Sequence, residues 1–367
     1  MRKCTFRFLA LILAMMMLLL SVACNMVPVK PGGNDDDDDE TTDTSKITTT
    51  TDDEPTYTTT PGTQPVTPPV GETTTPTVTS TPVQDPPSST DPDEPTVEML
   101  PSQEVKIVGI NLLNGNATSV NSRAPAMVDL ILSYTPDSIG VQECGAVWGT
   151  TLETELGDQY ARVGVDCLGN QNAVSFATYI YYLKDKYIAI DSGTFWMSKT
   201  PDLPSKYDNT VDMNRTTTWV ILENVLTGFR YVHMNLHIDH KNLDVNEIQC
   251  QMILQQIRRF EDMGYPVFAT GDYNMGEMTE SYQIMTSQPT HVADARYVAI
   301  DSTDMISHPG NGRTIDYCFV TKQNMSVKEF KIVDTHATGT QLSDHRGTFT
   351  RALVNSLPKQ AYSNCMV

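Results

Sequence analysis

Asn111, Glu143, His237, Asp272, Asn274, Asp316, Asp344 and His345 stand in or at the ends of otherwise apolar, strand-like runs. An unpaired carboxylate or imidazole is costly to bury in such a setting, so one of them is ordinary but eight ask for a shared explanation. Carboxylates and amides without a Cys/His metal-ligand spacing favour a hard, oxygen-ligated cation such as Mg²⁺ over zinc. Histidines added to that set supply metal-assisted hydrolysis, in which one group orients or deprotonates water and others hold charge on phosphorus. Each residue alone also has a plainer reading. Asp272 and Asn274 lie in a Gly-Asp-Tyr-Asn run that suits a turn after a strand. Glu143 reads equally as a solvated strand end, Asp316 as a surface ion-pair partner, Asn111 as a turn cap and His345 as a structural histidine. His233 and His240 are neighbours of His237 and compete for its role, while His291, His308 and His336 carry the plain reading. The sequence has no Gly-x-Ser-x-Gly elbow and no phosphate-cradling P-loop, which removes the serine-hydrolase and P-loop readings.

These positions need elements to hold them. Val105-Lys106-Ile107-Val108-Gly109-Ile110 reads as a strand ending at Asn111. Ala124, Met127, Val128, Ile131 and Leu132 then recur on one face of a helix, with Ser122 as cap and Pro125 in the first turn. Residues 138–141 form a short strand ending at Gln142-Glu143, which completes a strand, helix, strand unit. A second helix spans 244–263, with a capping-box-like pair Asp244 and Glu247, apolar Ile248, Met252, Ile257 and Phe260, and Gly264 as stop. It feeds a strand at 266–269 that ends at Gly271-Asp272-Tyr273-Asn274. Further strand-like runs lie at 178–183, 217–222, 229–236, 314–320 and 347–353. Many β-runs with few helices exclude a regular βαβ repeat and point to layered sheets flanked by helices.

Six fragments in order carry a resemblance: Ile110-Asn111; Gln142-Glu143; Asn235-Leu236-His237-Ile238-Asp239-His240; Gly271-Asp272-Tyr273-Asn274; Arg313-Thr314-Ile315-Asp316-Tyr317; and Ser343-Asp344-His345. Together they resemble the endonuclease/exonuclease/phosphatase family over residues 105–353. Tyr181-Tyr182-Leu183-Lys184-Asp185 and Ser192-Gly193-Thr194-Phe195-Trp196-Met197-Ser198 resemble internal strands of a bacterial lipoprotein branch of it. The resemblance implies an α/β (α+β) fold like that of deoxyribonuclease I, a four-layer sandwich of two mixed β-sheets flanked by helices. It implies Glu143 as a direct metal ligand with Asn111 and Asp344 close by, and Mg²⁺, or Mn²⁺ in its place, as the cation. Asp272 then orients or deprotonates water, Asn274 holds a phosphate oxygen, His345 oriented by Asp316 lies against the phosphate, and His237 is the second imidazole there. Leu236 stands where the family has Thr, and Arg346-Gly347 where it often has a bulky residue and Pro. These departures imply altered contacts around His237 and a pocket rim changed by Arg346.

The rest of the chain divides by composition. Arg2, Lys3 and Arg7 precede the apolar run 8–22, which reads as a signal segment too short to span a bilayer comfortably. Leu20-Ser21-Val22-Ala23-Cys24 resembles a bacterial lipobox, so residues 1–24 are expected to be a lipoprotein signal peptide with Cys24 lipidated; the alternative is ordinary cleavage with a free Cys24. Residues 25–100 are dominated by Thr, Pro and Asp and have almost nothing to bury, so they read as a disordered spacer suited to O-glycosylation. Residues 101–367 are the expected catalytic domain, lipid-anchored on the extracytoplasmic side of a bacterial membrane and monomeric.

Of the net charge of −20, 5 basic and 16 acidic residues precede position 101, leaving 20 and 29, a net charge of −9 for the rest. No basic stripe for nucleic acid is visible there. Cys144, Cys167, Cys250, Cys318 and Cys365 form no CxxC pair and read mostly as small buried hydrophobes. The expected activity is Mg²⁺-dependent hydrolysis of a phosphomonoester or phosphodiester. The competing readings are an extracellular nuclease, with nucleic acid as substrate, and a non-enzymatic surface binding protein on the same fold.

Overall fold

A computed structural model of the chain describes residues 102–355, apart from 288, 289, 304 and 338. The signal segment, Cys24, the spacer and Cys365 lie outside the described residues. Among those described, no helix is long and apolar enough to cross a membrane.

Two parallel strand pairs, each closed by a crossover helix, organise the structure. In the first, β1 (Gln103–Asn111) leads through α1 (Ala117–Ser133) to β2 (Ser138–Gln142). In the second, β7 (Arg230–His237) leads through α3 (Leu243–Asp262) to β8 (Val267–Asp272). The helix α2 (Ala146–Leu156) precedes β3 (Tyr160–Val163), β4 (Ile180–Leu183), β5 (Tyr187–Trp196) and β6 (Thr216–Asn224). After β8 come α4 (Glu280–Thr286), β9 (Val292–Asp294), α5 (Ala295–Val298), β10 (Asp301–Ser302), β11 (Asp316–Thr321), β12 (Met325–Val333) and β13 (Gly347–Val354). They assemble into a seven-stranded sheet, β10-β12-β13-β1-β2-β4-β3, and a six-stranded sheet, β5-β6-β7-β8-β11-β9. Both sheets are mixed, as expected.

Period-2 alternation decides the layers. In β1, Val108 and Ile110 pack towards α1 and α2, whereas Val105 and Ile107 pack into the space between the sheets. In β7 and β8, Val232, Met234, Leu236, Val267 and Ala269 pack towards α3 and α4, while Tyr231 and Phe268 face the other sheet. Three cores result, helix on sheet, sheet on sheet and sheet on helix, giving the four-layer sandwich. Cys144, Cys167, Cys250 and Cys318 are buried free thiols.

Local signals mislead at both helix starts. The first helix begins not at Ser122 but at Ala117, where the Asn116 side chain accepts from Ser119 N at 3.0 Å. Pro125 is tolerated inside it because the carbonyl it leaves without a partner belongs to Asn121, which is exposed. The second is capped by Asn242, which accepts from the amides of Asp244 and Val245, and not by Asp244. Its buried stripe includes the polar Asn246 and Gln249, which grip the loop after β7: Asn246 donates to Asp239 O, and Gln249 accepts from Asp239 N.

Candidate active site

The site lies where the central strands of both sheets end. Asp316, Asp272 and His237 sit side by side across β11, β8 and β7, because Asp316 pairs with Asp272 and Asp272 with His237 in the ladder registers. His237 Nε2 is 3.4 Å from Asp272 Oδ2. From the opposite sheet, Asn111 at the end of β1 donates Nδ2–H to Asp272 Oδ2 at 3.1 Å and to Glu143 Oε1 at 3.2 Å. His345 closes the group: its Nδ1 is 2.9 Å from Asp316 Oδ2, and its Nε2 is 3.7 Å from Asp272 Oδ2.

Hydrogen bonds fix the carboxylates of Asp272, Asp316 and Glu143. Asp272 Oδ1 accepts from Asn274 N at 3.0 Å, and Asn274 Nδ2 donates to Ile238 O at 3.1 Å. Ser307 Oγ donates to Asp316 Oδ2 at 2.7 Å and accepts from the amides of Ile315 and Asp316. Glu143 Oε2 accepts from Asn114 N at 3.1 Å. Glu143 and Asn274 both have positive φ, 55° and 47°. Such conformations are costly for non-glycine residues and persist where surrounding contacts over-determine them, commonly at functional sites.

Burial sets the electrostatics. Asp272 is pushed up to about 7, first by burial and then by the charge of Asp316. Burial opposes a charge on His345 most strongly, yet Asp316, Asp272 and Asp344 together overcome it and raise the imidazole to about 10. Burial, then Arg215 and His345, hold His237 well below its ordinary value. At neutral pH the site therefore pairs one charged imidazole with one neutral one.

Asn111, Glu143 and Asp344 carry oxygen donors of the kind a hard divalent cation takes, although Asn111 Oδ1 also accepts from Leu113 N at 3.0 Å. Asn111 contacts Glu143 directly. Asp344 is reached through Ser343, whose Oγ donates to Asn111 O at 2.7 Å and lies 3.5 Å from Asp344 Oδ1. The Asp344 side chain is 40% exposed, so an oxygen remains accessible. Among the described residues, two groups of His and carboxylate side chains bring potential ligand atoms within 4.8 Å of one another, Asp272-Asp316-His345 and His308-Asp344-His345. The first has the His345–Asp316 hydrogen bond and the positive charge of His345 inside it. In the second, His308 Nδ1 is taken up by the amide of Asn311 at 3.2 Å, and Nε2 lies 3.9 Å from Asp344 Oδ2.

All eight residues predicted from sequence thus converge. Of the competing histidines, His233 is far from this role, held in the sheet interface between Ser138 Oγ and Thr270 Oγ1, each at 2.9 Å. His240 Nδ1 lies 2.8 Å from Arg215 Nη2. Leu236 points into the core under α3, so it makes no contact on the site face. Arg346 is engaged by Asp334 Oδ1 at 2.8 Å and Ile306 O at 3.0 Å, fastening a neighbouring loop.

Sequence reasoning missed two residues. Arg215 is buried, lines a narrow recess with Glu143, Thr178 and His237, and its Nε finds no hydrogen-bond partner among the described residues. Burial holds its guanidinium below the ordinary value, against the opposing pull of Asp272, Asp239 and Glu143. The available signal was an arginine directly before an alternating Thr-x-Thr strand. His308 stacks edge-on against His345, with ring centroids 4.6 Å apart, and its Nε2 lies 3.9 Å from Asp344 Oδ2. Beside the site, a cleft of about 560 Å³ opens between segments 276–279 and 306–314, lined by Met278, Ile306 and Arg313 among others.

Paired mixed sheets ending in a carboxylate, amide and imidazole cluster define a deoxyribonuclease I-like phosphoester-hydrolase fold. Residues 109–345 match the model of the endonuclease/exonuclease/phosphatase family, and the chain belongs to that family. Its members are hydrolases acting on phosphoester bonds. A family protein from Bacteroides vulgatus is similar in structure, with a TM-score of 0.63 at 23% identity, covering 69% of this chain and 99% of that one. A second, from Bacteroides thetaiotaomicron, gives 0.62 at 22% identity, with the same coverage. A mannosyl-6-phosphatase from Bacteroides thetaiotaomicron gives 0.61 at 22% identity, covering 68% and 99%. At these identities the likeness shows the fold. Comparison with curated proteins returns no match.

Proposed function

We propose that the chain is a Mg²⁺-dependent hydrolase of a small phosphate ester, acting outside the cytoplasm. The row Asp316-Asp272-His237, met by Asn111 and His345 from across the sheet interface, carries this reading. Asn111, Glu143 and Asp344 hold the cation, with Mn²⁺ able to replace Mg²⁺ at an all-oxygen site. When bound, it polarises the phosphoryl group and stabilises the leaving oxygen. Asp272, fixed by Asn111 and Asn274, orients or deprotonates the attacking water. Asn274 holds a phosphate oxygen. His345, charged and oriented by Asp316, lies against the phosphate, and His237 and Arg215 receive its inner oxygens.

The net charge of −9 beyond residue 100 weighs against a polynucleotide, and the phosphatase among the similar structures supports a sugar phosphate or comparable monoester. The presence of every site residue weighs against a purely adhesive role. The charged, apolar and Cys24-terminated opening supports lipid anchoring, with residues 25–100 as the spacer. A hydrolysis panel on the full-length chain tests the reading, using sugar phosphates, an activated diester, a phosphoinositide and plasmid DNA with Mg²⁺, Mn²⁺ or EDTA. The expected result is divalent-dependent turnover of a small ester; no turnover of any of them with either metal removes the enzyme assignment.

A further inference from the structure

Helix α1 buries an arginine where its core face calls for an apolar side chain. Its buried positions are Val120, Arg123, Ala124, Met127, Val128 and Ile131, and Arg123 is only 7% exposed. A buried guanidinium must find acceptors, and those of Arg123 are backbone carbonyls. Nη1 donates to Leu112 O at 2.8 Å and to Leu342 O at 2.5 Å, and Nη2 donates to Leu113 O at 2.6 Å. Trp148 lies 5.3 Å from the guanidinium carbon and gives its own Nε1–H to Leu113 O at 3.1 Å.

These carbonyls belong to two loops. Leu112 and Leu113 directly follow Asn111, and Leu342 directly precedes Ser343-Asp344. Asn111 and Ser343 are 232 positions apart in the chain, so nothing local relates the loops. Leu113 has a φ of 53°, held by Arg123 and Trp148 on its carbonyl and by Asn111 Oδ1 on its amide. A planar fork with fixed donor directions can bridge three carbonyls on two loops, whereas the compact point charge of a lysine ammonium cannot reproduce that geometry.

We propose that Arg123 is a positioning residue for the cation site: its fork sets the separation of the Asn111–Glu143 pair from Asp344. Cation affinity therefore depends on it although it touches no ligand. This rests on the reading that those three residues hold the cation.

Calorimetric titration of the full-length chain with Mn²⁺ tests it, on wild type, Arg123→Lys and Arg123→Met, with thermal midpoints taken in EDTA. Arg123→Lys keeps the charge and loses the fork, so it isolates geometry from electrostatics. Its Mn²⁺ affinity is expected to fall about 10–100-fold, the usual effect of removing a group that orients metal ligands, and any hydrolytic turnover should recover at saturating Mn²⁺. Unchanged affinity in a folded Arg123→Lys protein overturns the proposal, whatever happens to the midpoint. Should neither variant fold, hydrogen exchange on wild type decides: Mn²⁺ should protect segments 111–114 and 342–345 together, and protection of one alone overturns it. Absence of Mn²⁺ binding to wild type overturns it as well. Calorimetry needs no turnover, so weakened binding with no ester hydrolysed upholds the positioning role and removes the hydrolase, and hydrolysis with unchanged affinity does the reverse.

Discussion

The space between the two sheets has two ends built from the same strands and equally buried, yet with opposite chemistry. At one end Val105, Ile107, Tyr187, Val220, Tyr231, Phe268 and Val320 pack as an aromatic and aliphatic core. Further along β7, β8 and β1, on the same face, the apolar side chains give way to polar ones or to glycine. Tyr231 gives way to His233, Asn235 and His237; Phe268 to Thr270 and Asp272; Ile107 to Gly109 and Asn111. In the polar half, Asn235 donates to Val141 O and Tyr179 O and accepts from Gln142 Nε2 at 2.5 Å and Thr270 Oγ1 at 3.2 Å. Gly140 is glycine there because a Cβ would come within 2.5 Å of Asn235 Oδ1. The apolar half holds the sheets together by burial; the polar half gives up some of that to fix side chains in direction. The candidate active site is the solvent end of this gradient.

Removing a group from the polar end should cost activity without stability, and removing one from the apolar end should do the reverse. The largest effect is expected from Asp272→Asn, which should lower turnover of a small ester about 10²–10⁴-fold, the usual range for losing a positioned base. Its melting midpoint should stay level or rise, since the change removes a buried carboxylate beside Asp316. A lost fold in that variant would break the division of labour. Phe268→Ala should cost about 3–5 kcal/mol in urea unfolding and leave turnover per folded molecule close to wild type.

A pH-dependent effect sharpens the boundary between the halves. His233 is fully buried and neutral, with burial pulling its pKa down to about 3. The unfolded chain takes up this proton near 6.5 and the folded chain only near 3, so the stability it carries is complete above 6.5 and is lost as pH falls towards 3. In that window each pH unit is worth about 1.4 kcal/mol for one such group. Denaturant midpoints measured from pH 7 to 4 should show a shallower acid limb in His233→Gln than in wild type; parallel curves would place the acid sensitivity elsewhere.

Much of this was written locally. The crossover units read directly from apolar periodicity, and the motif segments appear in order along one stretch of chain. The helix starts were misread because Asn116 and Asn242 cap as well as Ser122 or Asp244 would, and local propensity does not choose between equivalent caps. Helix α2 and strand β12 are too weakly patterned to be seen. Arg123 and Arg215 escaped because an arginine reads as a surface residue until its burial and its acceptors are known. His308 carries no local signal, since its meaning comes from the ring of His345 against it.

The sequence alone determined which residue types end the central strands, how those strands alternate and which family the chain resembles, since each follows from spacing over a few residues. Only the tertiary structure decided that Asp316, Asp272 and His237 form one row, that Asn111 reaches Asp272 from 161 positions away, and that a helix arginine joins the loops bearing Asn111 and Asp344. Those contacts are set by strand register and by the stacking of two sheets, long-range choices in which a slip of one residue would turn every such side chain to the other face.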